Sequence, residues 1–215
     1  MKHLSLGKKI GIIDLTRGEL GTRGDAVIRA REAAAASKIL GIKHRENLGF
    51  ADGFFQNDKK HQLGIITVIR KYRPAVVFAN AITDRHPDHG KAATLVADAC
   101  FLSGLRKIET SFEGKKQEAF RPRALYHYIQ DRYIKPDFVV DISDFMEKKM
   151  KAINAFESQF YDSASVEPAT YISSPHFLES IMARASEMGR SIGVRYAEGF
   201  TSSRIIGVED VTELV

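Results

Sequence analysis

Residues 75–89 read Ala75-Val76-Val77-Phe78-Ala79-Asn80-Ala81-Ile82-Thr83-Asp84-Arg85-His86-Pro87-Asp88-His89. The first five form a short apolar run that reads as a buried strand. Further on, Ala92, Val96, Ala99 and Cys100 share one face of a helix predicted from about Gly90 to Leu102. Two histidines and two aspartates therefore fall in the loop after a buried strand, where open α/β sheets build their active sites. Imidazole ligates metals and moves protons near neutral pH, so the cluster points to metal-assisted hydrolysis. Asp84 and Asp88 are placed to orient the rings, and Pro87 stiffens their spacing. A natural division makes one ring a ligand and the other a proton-bearing group that stabilises an oxyanion. Two imidazoles alone leave a metal site incomplete.

Strands and helices alternate on both sides of this stretch. Lys9 to Leu15 is a β-rich apolar run, and the loop Thr16 to Gly24 after it carries three glycines, the punctuation of a βα unit. Asp25 is a good N-cap for a helix over 26–40 ended by Gly41, and the alanines at 33–36 let that helix lie close to a sheet. Arg45 to Leu48 suits a short strand. Leu63, Ile66, Ile69 and Tyr72 make a helical stripe within 60–72, stopped by Pro74. Residues 124–129 and 138–142 read as strands. Ser143 or Asp144 then caps a long helix with Met146, Met150, Ile153, Phe156 and Phe160 on one side. Another helix is predicted over 177–191, and 200–208 is a last extended segment. This alternation predicts a single α/β domain with a largely parallel sheet covered on both faces. The start is irregular: His3-Leu4-Ser5-Leu6 looks like the tail of a helix capped by Gly7, so the usual first strand and most of the first helix are absent.

Composition narrows the function classes. The chain has 215 residues, 44% hydrophobic and 27% charged, enough for a real core. No run reaches the apolar length of a membrane span, and residues 1–9 lack the apolar core of a signal peptide. One cysteine, Cys100, permits no internal disulfide and suits a reducing cytoplasm. The net charge of +5 is spread among acidic residues rather than gathered with aromatics. That argues against nucleic acid and suits a small anionic substrate.

Other residues carry weaker signals. Arg29, early in the helix after the glycine loop, is either a solvated charge or a fork for a carboxylate. Arg85, beside the histidines, has the same two readings. Glu157-Ser158-Gln159 suits helix termination or subunit contact, and Phe160 the core. Tyr196-Ala197-Glu198-Gly199-Phe200 reads as a turn between helix and strand. Cys100 lies in an apolar stripe and reads as core, while His44, His61, His127 and His176 lack partners at ligand spacing.

These segments together resemble the LmbE/PIG-L-like family of zinc-dependent N-acetylglucosamine deacetylases, and within it the bacillithiol-biosynthesis deacetylases. The resemblance is carried by Asp14-Leu15-Thr16 with the glycine loop, Arg29 in its Ala-rich helix, and Asp84-Arg85-His86-Pro87-Asp88-His89. Phe138 to Ser143, Glu157-Ser158-Gln159-Phe160 and Tyr196 to Phe200 extend it over essentially the whole chain. It implies a Rossmann-like three-layer fold and hydrolysis of an N-acetyl group from a glucosaminyl conjugate, with release of acetate. It further implies that His89 ligates Zn2+ and that protonated His86 stabilises the oxyanion while Asp88 orients it. Arg29 and Arg85 would face the malate carboxylates of an N-acetylglucosaminyl malate, Tyr196 would sit at the pocket rim, and the protein would form a homo-oligomer.

One departure is large. The family opens with a strand ending near Ala-His-Pro-Asp-Asp, which supplies two more zinc ligands and the general base, and these 215 residues do not contain it. The expectation is that Met1 is a mis-assigned start or a truncation, that the native protein is an intact deacetylase, and that the recorded chain is inactive. The alternatives are a non-catalytic interaction or scaffold member, or a deacetylase of another N-acetyl sugar.

Overall fold

The computed structural model describes residues 1–160 and 164–214. In chain order the elements are α1 (Lys2–Ser5), β1 (Gly11–Thr16), α2 (Ala26–Leu40), β2 (His44–Phe50), α3 (Lys59–Tyr72), β3 (Val76–Ala79) and α4 (Pro87–Leu102). They continue as β4 (Ser111–Phe112), β5 (Lys115–Lys116), β6 (Ala124–Tyr128), β7 (Phe138–Asp141), α5 (Met146–Asn154), α6 (Pro175–Arg190) and β8 (Ala197–Ser202). β1 and β2 form a parallel pair, and a second sheet runs β3-β6-β8-β7. β3 pairs parallel with β6, and β8 returns antiparallel to β6, so the α/β fold has a mixed sheet. No helix of the described residues is long and apolar enough to cross a membrane.

The chain divides into two compact units, Met1–Asp52 with Val140–Glu198, and Gly53–Val139 with Gly199–Val215. In the first, Asp25 accepts the N–H groups of Val27 and Ile28, and Gly41 closes α2 in the left-handed conformation at φ 78°. Arg45 of β2 forks onto Asp14 of β1, Nε to Oδ2 at 2.6 Å and Nη2 to Oδ1 at 2.9 Å, and donates to the Ala33 carbonyl of α2. One side chain thus ties two strands to the helix over them.

The predicted long helix ends early, at Asn154. Ser158 explains why: its N–H and Oγ both go to the buried Glu32 of α2, at 2.7 and 2.9 Å. Residues 155–160 leave helical geometry to make that dock. The strand expected at 45–48 is longer, at 44–50, and the last strand lies at 197–202 rather than 200–208.

In the second unit α3 packs on α4 over a core that includes Ile66, Ile69, Leu95, Ala99 and Cys100. Across the sheet, Phe78, Tyr126, Phe138 and Phe200 form a ring cluster with centroids 4.9 to 5.9 Å apart. The β4–β5 hairpin was not foreseen. Its strands are two residues each, turned by Glu113 and Gly114 at φ 51° and 74°.

Candidate active site

The site grows from the end of β3. α4 begins at Pro87, three residues before the predicted start, because a proline at the first helical position loses no hydrogen bond. His86 is its N-cap: Nδ1 lies 3.3 Å from the Asp88 backbone N–H and accepts from it. His89 sits in the first turn, not in a loop. The two rings lie side by side, with centroids 5.2 Å apart and planes 34° apart.

Asp84 fixes His89. Its side chain is fully buried, and Oδ2 lies 2.5 Å from His89 Nδ1. Oδ1 accepts the N–H groups of Asp131 and Arg132 at 3.2 and 2.9 Å, just past the end of β6. Burial pushes the Asp84 carboxyl up, but the hydrogen bonds from Arg132 and His89 outweigh it and hold the group below the ordinary carboxylate range. The carboxylate therefore keeps the proton of His89 on Nδ1 and leaves Nε2 as an acceptor.

The opposite holds for His86. Its Nδ1 accepts a backbone N–H, so the neutral ring carries its proton on Nε2. The pair thus offers one outward acceptor and one outward donor at the positive end of a 16-residue helix. A carbonyl oxygen gaining negative charge would be stabilised there.

The Asp88 side chain does not touch His86. Oδ2 accepts the Gly53 N–H at 2.7 Å, and Oδ1 lies 2.8 Å from Lys91 Nζ, an ion pair outside hydrogen-bond angles. Lys91 also donates to the Gly53 carbonyl. The orienting contact from Asp88 comes from its backbone instead. Arg85 is exposed, with Nε 3.2 Å from Asp131.

Arg29 and Tyr196 belong to the other unit. Arg29 is buried, and its fork donates to the Arg23 carbonyl and Ser158 Oγ beside Glu32. Tyr196 packs against Ile142, Met146 and Ala185.

Sequence reasoning missed three supports: Asp131 and Arg132, the Gly53–Lys91 clamp, and His127, whose Nδ1 meets the Asn80 carbonyl at 2.8 Å. Residues 129–132 follow the strand parallel to β3, and that adjacency was the one signal available.

Zinc fits these residues incompletely. Catalytic zinc takes three protein ligands. His89 Nε2 offers one, and among the described residues no three His, Cys, Asp or Glu side chains gather to hold a metal.

The family model for PIG-L, GlcNAc-PI de-N-acetylase, matches residues 1–100. A diacetylchitobiose deacetylase of Thermococcus kodakarensis is 32% identical over 194 residues, 88% of this chain and 67% of that protein. The crystal structure of the conserved protein TT1542 from Thermus thermophilus superposes with a TM-score of 0.83 at 37% identity, over 97% of this chain and 88% of that one. The N,N′-diacetylchitobiose deacetylase of Pyrococcus horikoshii, in complex with its inhibitor, gives 0.75 at 27% identity, over 100% and 80%.

Proposed function

Because this chain belongs to the PIG-L family of de-N-acetylases, we propose that the protein hydrolyses the acetamide of an N-acetylglucosaminyl conjugate. The observation that carries this is the His86–His89 pair, with opposite hydrogen-bonding polarity at the N-terminus of α4. Water adds to the acetamide carbonyl, and the oxygen that becomes negative accepts a hydrogen bond from the Nε2–H of His86 within the field of α4. The C–N bond then breaks, the proton released by the attacking water passes to the departing amine nitrogen, and the acetyl group leaves as acetate, its remaining proton passing to solvent. His89, its tautomer held by Asp84, presents Nε2 to the reacting group from the other ring. Asp84, Asp88 and Asp131 are all engaged, so none is assigned the proton of the attacking water.

Our finer reading is an anionic substrate, N-acetylglucosaminyl malate, in a bacillithiol-type pathway. It rests on the exposed guanidinium of Arg85 beside the rings, the net charge of +5 and the resemblance of the motifs. Acetate release from this malate glycoside and from N,N′-diacetylchitobiose separates the readings. We expect kcat/KM at least about tenfold higher for the malate, with the preference lost in Arg85→Ala. A preference for diacetylchitobiose would overturn the malate, and acetate from neither would overturn the deacetylase. The incomplete ligand set favours a second reading, a non-catalytic family member, which predicts sugar binding without acetate release.

A further inference from the structure

We propose that Phe54 is the platform on which the sugar ring of the substrate stacks; this rests on the deacetylase reading above. Phe54 is 74% exposed, while its neighbour Phe55 is 2% exposed. An exposed phenylalanine on a loose loop would mean little. This one sits on a loop clamped at both sides. Gly53, before it, is held through its N–H by Asp88 Oδ2 at 2.7 Å and through its carbonyl by Lys91 Nζ at 2.8 Å. Gly53 adopts φ 73°, a left-handed turn that glycine makes without strain. Phe55, after it, fills the core, with Lys91 5.4 Å above its ring. Core space is thus taken by Phe55, and Phe54, between the held Gly53 and the buried Phe55, is left exposed.

The clamp also fixes where Phe54 stands. Asp88 lies between His86 and His89 in the first turn of α4. The residue that anchors the Phe54 loop is therefore the same residue whose backbone N–H orients His86.

The chemistry matches a pyranose. An aromatic face carries partial negative charge, and the axial C–H groups of an N-acetylglucosaminyl ring present a flat, weakly positive face to it. Stacking costs few hydrogen bonds, since the equatorial hydroxyls stay at the ring edge. It would hold the sugar while the acetamide reaches the two imidazoles.

The chain contains no tryptophan, so Phe54→Trp makes a single-tryptophan protein whose emission reports the occupant of this position. Titration with methyl N-acetyl-β-glucosaminide is expected to shift or quench that emission saturably. Phe54→Ala is expected to raise KM about tenfold, about 1.4 kcal/mol of binding, while kcat stays within about twofold. Its melting midpoint should hold, because the ring is exposed. An unchanged KM in Phe54→Ala, or emission indifferent to sugar concentrations that saturate turnover, overturns the platform and leaves the deacetylase standing. A sugar-dependent emission change in a protein that releases no acetate supports the platform and removes the deacetylase.

Discussion

Asp84→Asn separates the charge of the buried carboxylate from its shape. Asp84 accepts from Arg132 and Asp131 at Oδ1 and from His89 Nδ1 at Oδ2. Asparagine keeps an oxygen for the two backbone donors, which leaves its NH2 facing His89. Two N–H donors cannot point at each other. The ring must move its proton to Nε2 and accept at Nδ1, which turns its outward nitrogen from acceptor to donor. The stability loss is one charge-assisted hydrogen bond exchanged for a neutral one, about 1–2 kcal/mol. Asp84→Ala instead strands three donors at a buried position, at about 1–3 kcal/mol each before water relieves some, so roughly 3–5 kcal/mol is expected. Urea unfolding at neutral pH measures both losses. Long-range 15N imidazole spectra give the tautomer, with the protonated nitrogen of His89 moving from Nδ1 to Nε2 in Asp84→Asn. The reasoning fails if His89 keeps its Nδ1 proton in that variant, or if Asp84→Ala costs under about 1 kcal/mol.

Three further outcomes follow from buried or partnered groups. Arg70 is 4% exposed and donates to the carbonyls of Ser103, Leu105 and Ile108 and to Thr110 Oγ1. Arg70→Met should therefore lower unfolding free energy by about 3–5 kcal/mol in urea, and Arg70→Lys should recover less than half of it. Burial pushes the Cys100 thiol up to about 12. Iodoacetamide at mildly alkaline pH should thus label it only on unfolding, and rapid labelling of native protein would contradict that. The Ser143 Oγ and N–H, with Lys2, hold the Asp141 carboxyl below its ordinary value. A depressed folded pKa stabilises above the unfolded pKa of about 4 and is lost as pH falls through the folded value. The melting midpoint should then fall less on acidification in Asp141→Asn than in the unchanged protein.

Most elements were legible because they bury one face locally. The stripe of Leu63, Ile66 and Ile69 became α3, and Asp25 and Gly41 marked the ends of α2. The failures share a cause. The pattern Met146, Met150, Ile153, Phe156 continues a helix, yet Ser158 breaks it by reaching Glu32, 126 residues away in sequence. A helical period cannot register a partner that distant. The β4–β5 hairpin, two residues per strand, is too short to show alternation at all. Mixed sheet direction was hidden for a related reason, since β8 pairs with β6 across about 70 residues and nothing in either strand encodes the sense of pairing.

At the site, the histidines were legible and their supports were not. Residue type and spacing announce two imidazoles, whereas Asp131, Arg132 and Gly53 act through backbone groups that every residue possesses. Those anonymous contacts have an energetic consequence. Burying an ionised carboxylate such as Asp84 costs several kcal/mol unless hydrogen bonds replace its water. Two of its partners are main-chain N–H groups just past the end of β6. The charge is therefore compensated by the fold itself, before any ligand arrives at His89. The orientation and tautomer of that ring belong to the protein alone, and the work of arranging it is done during folding.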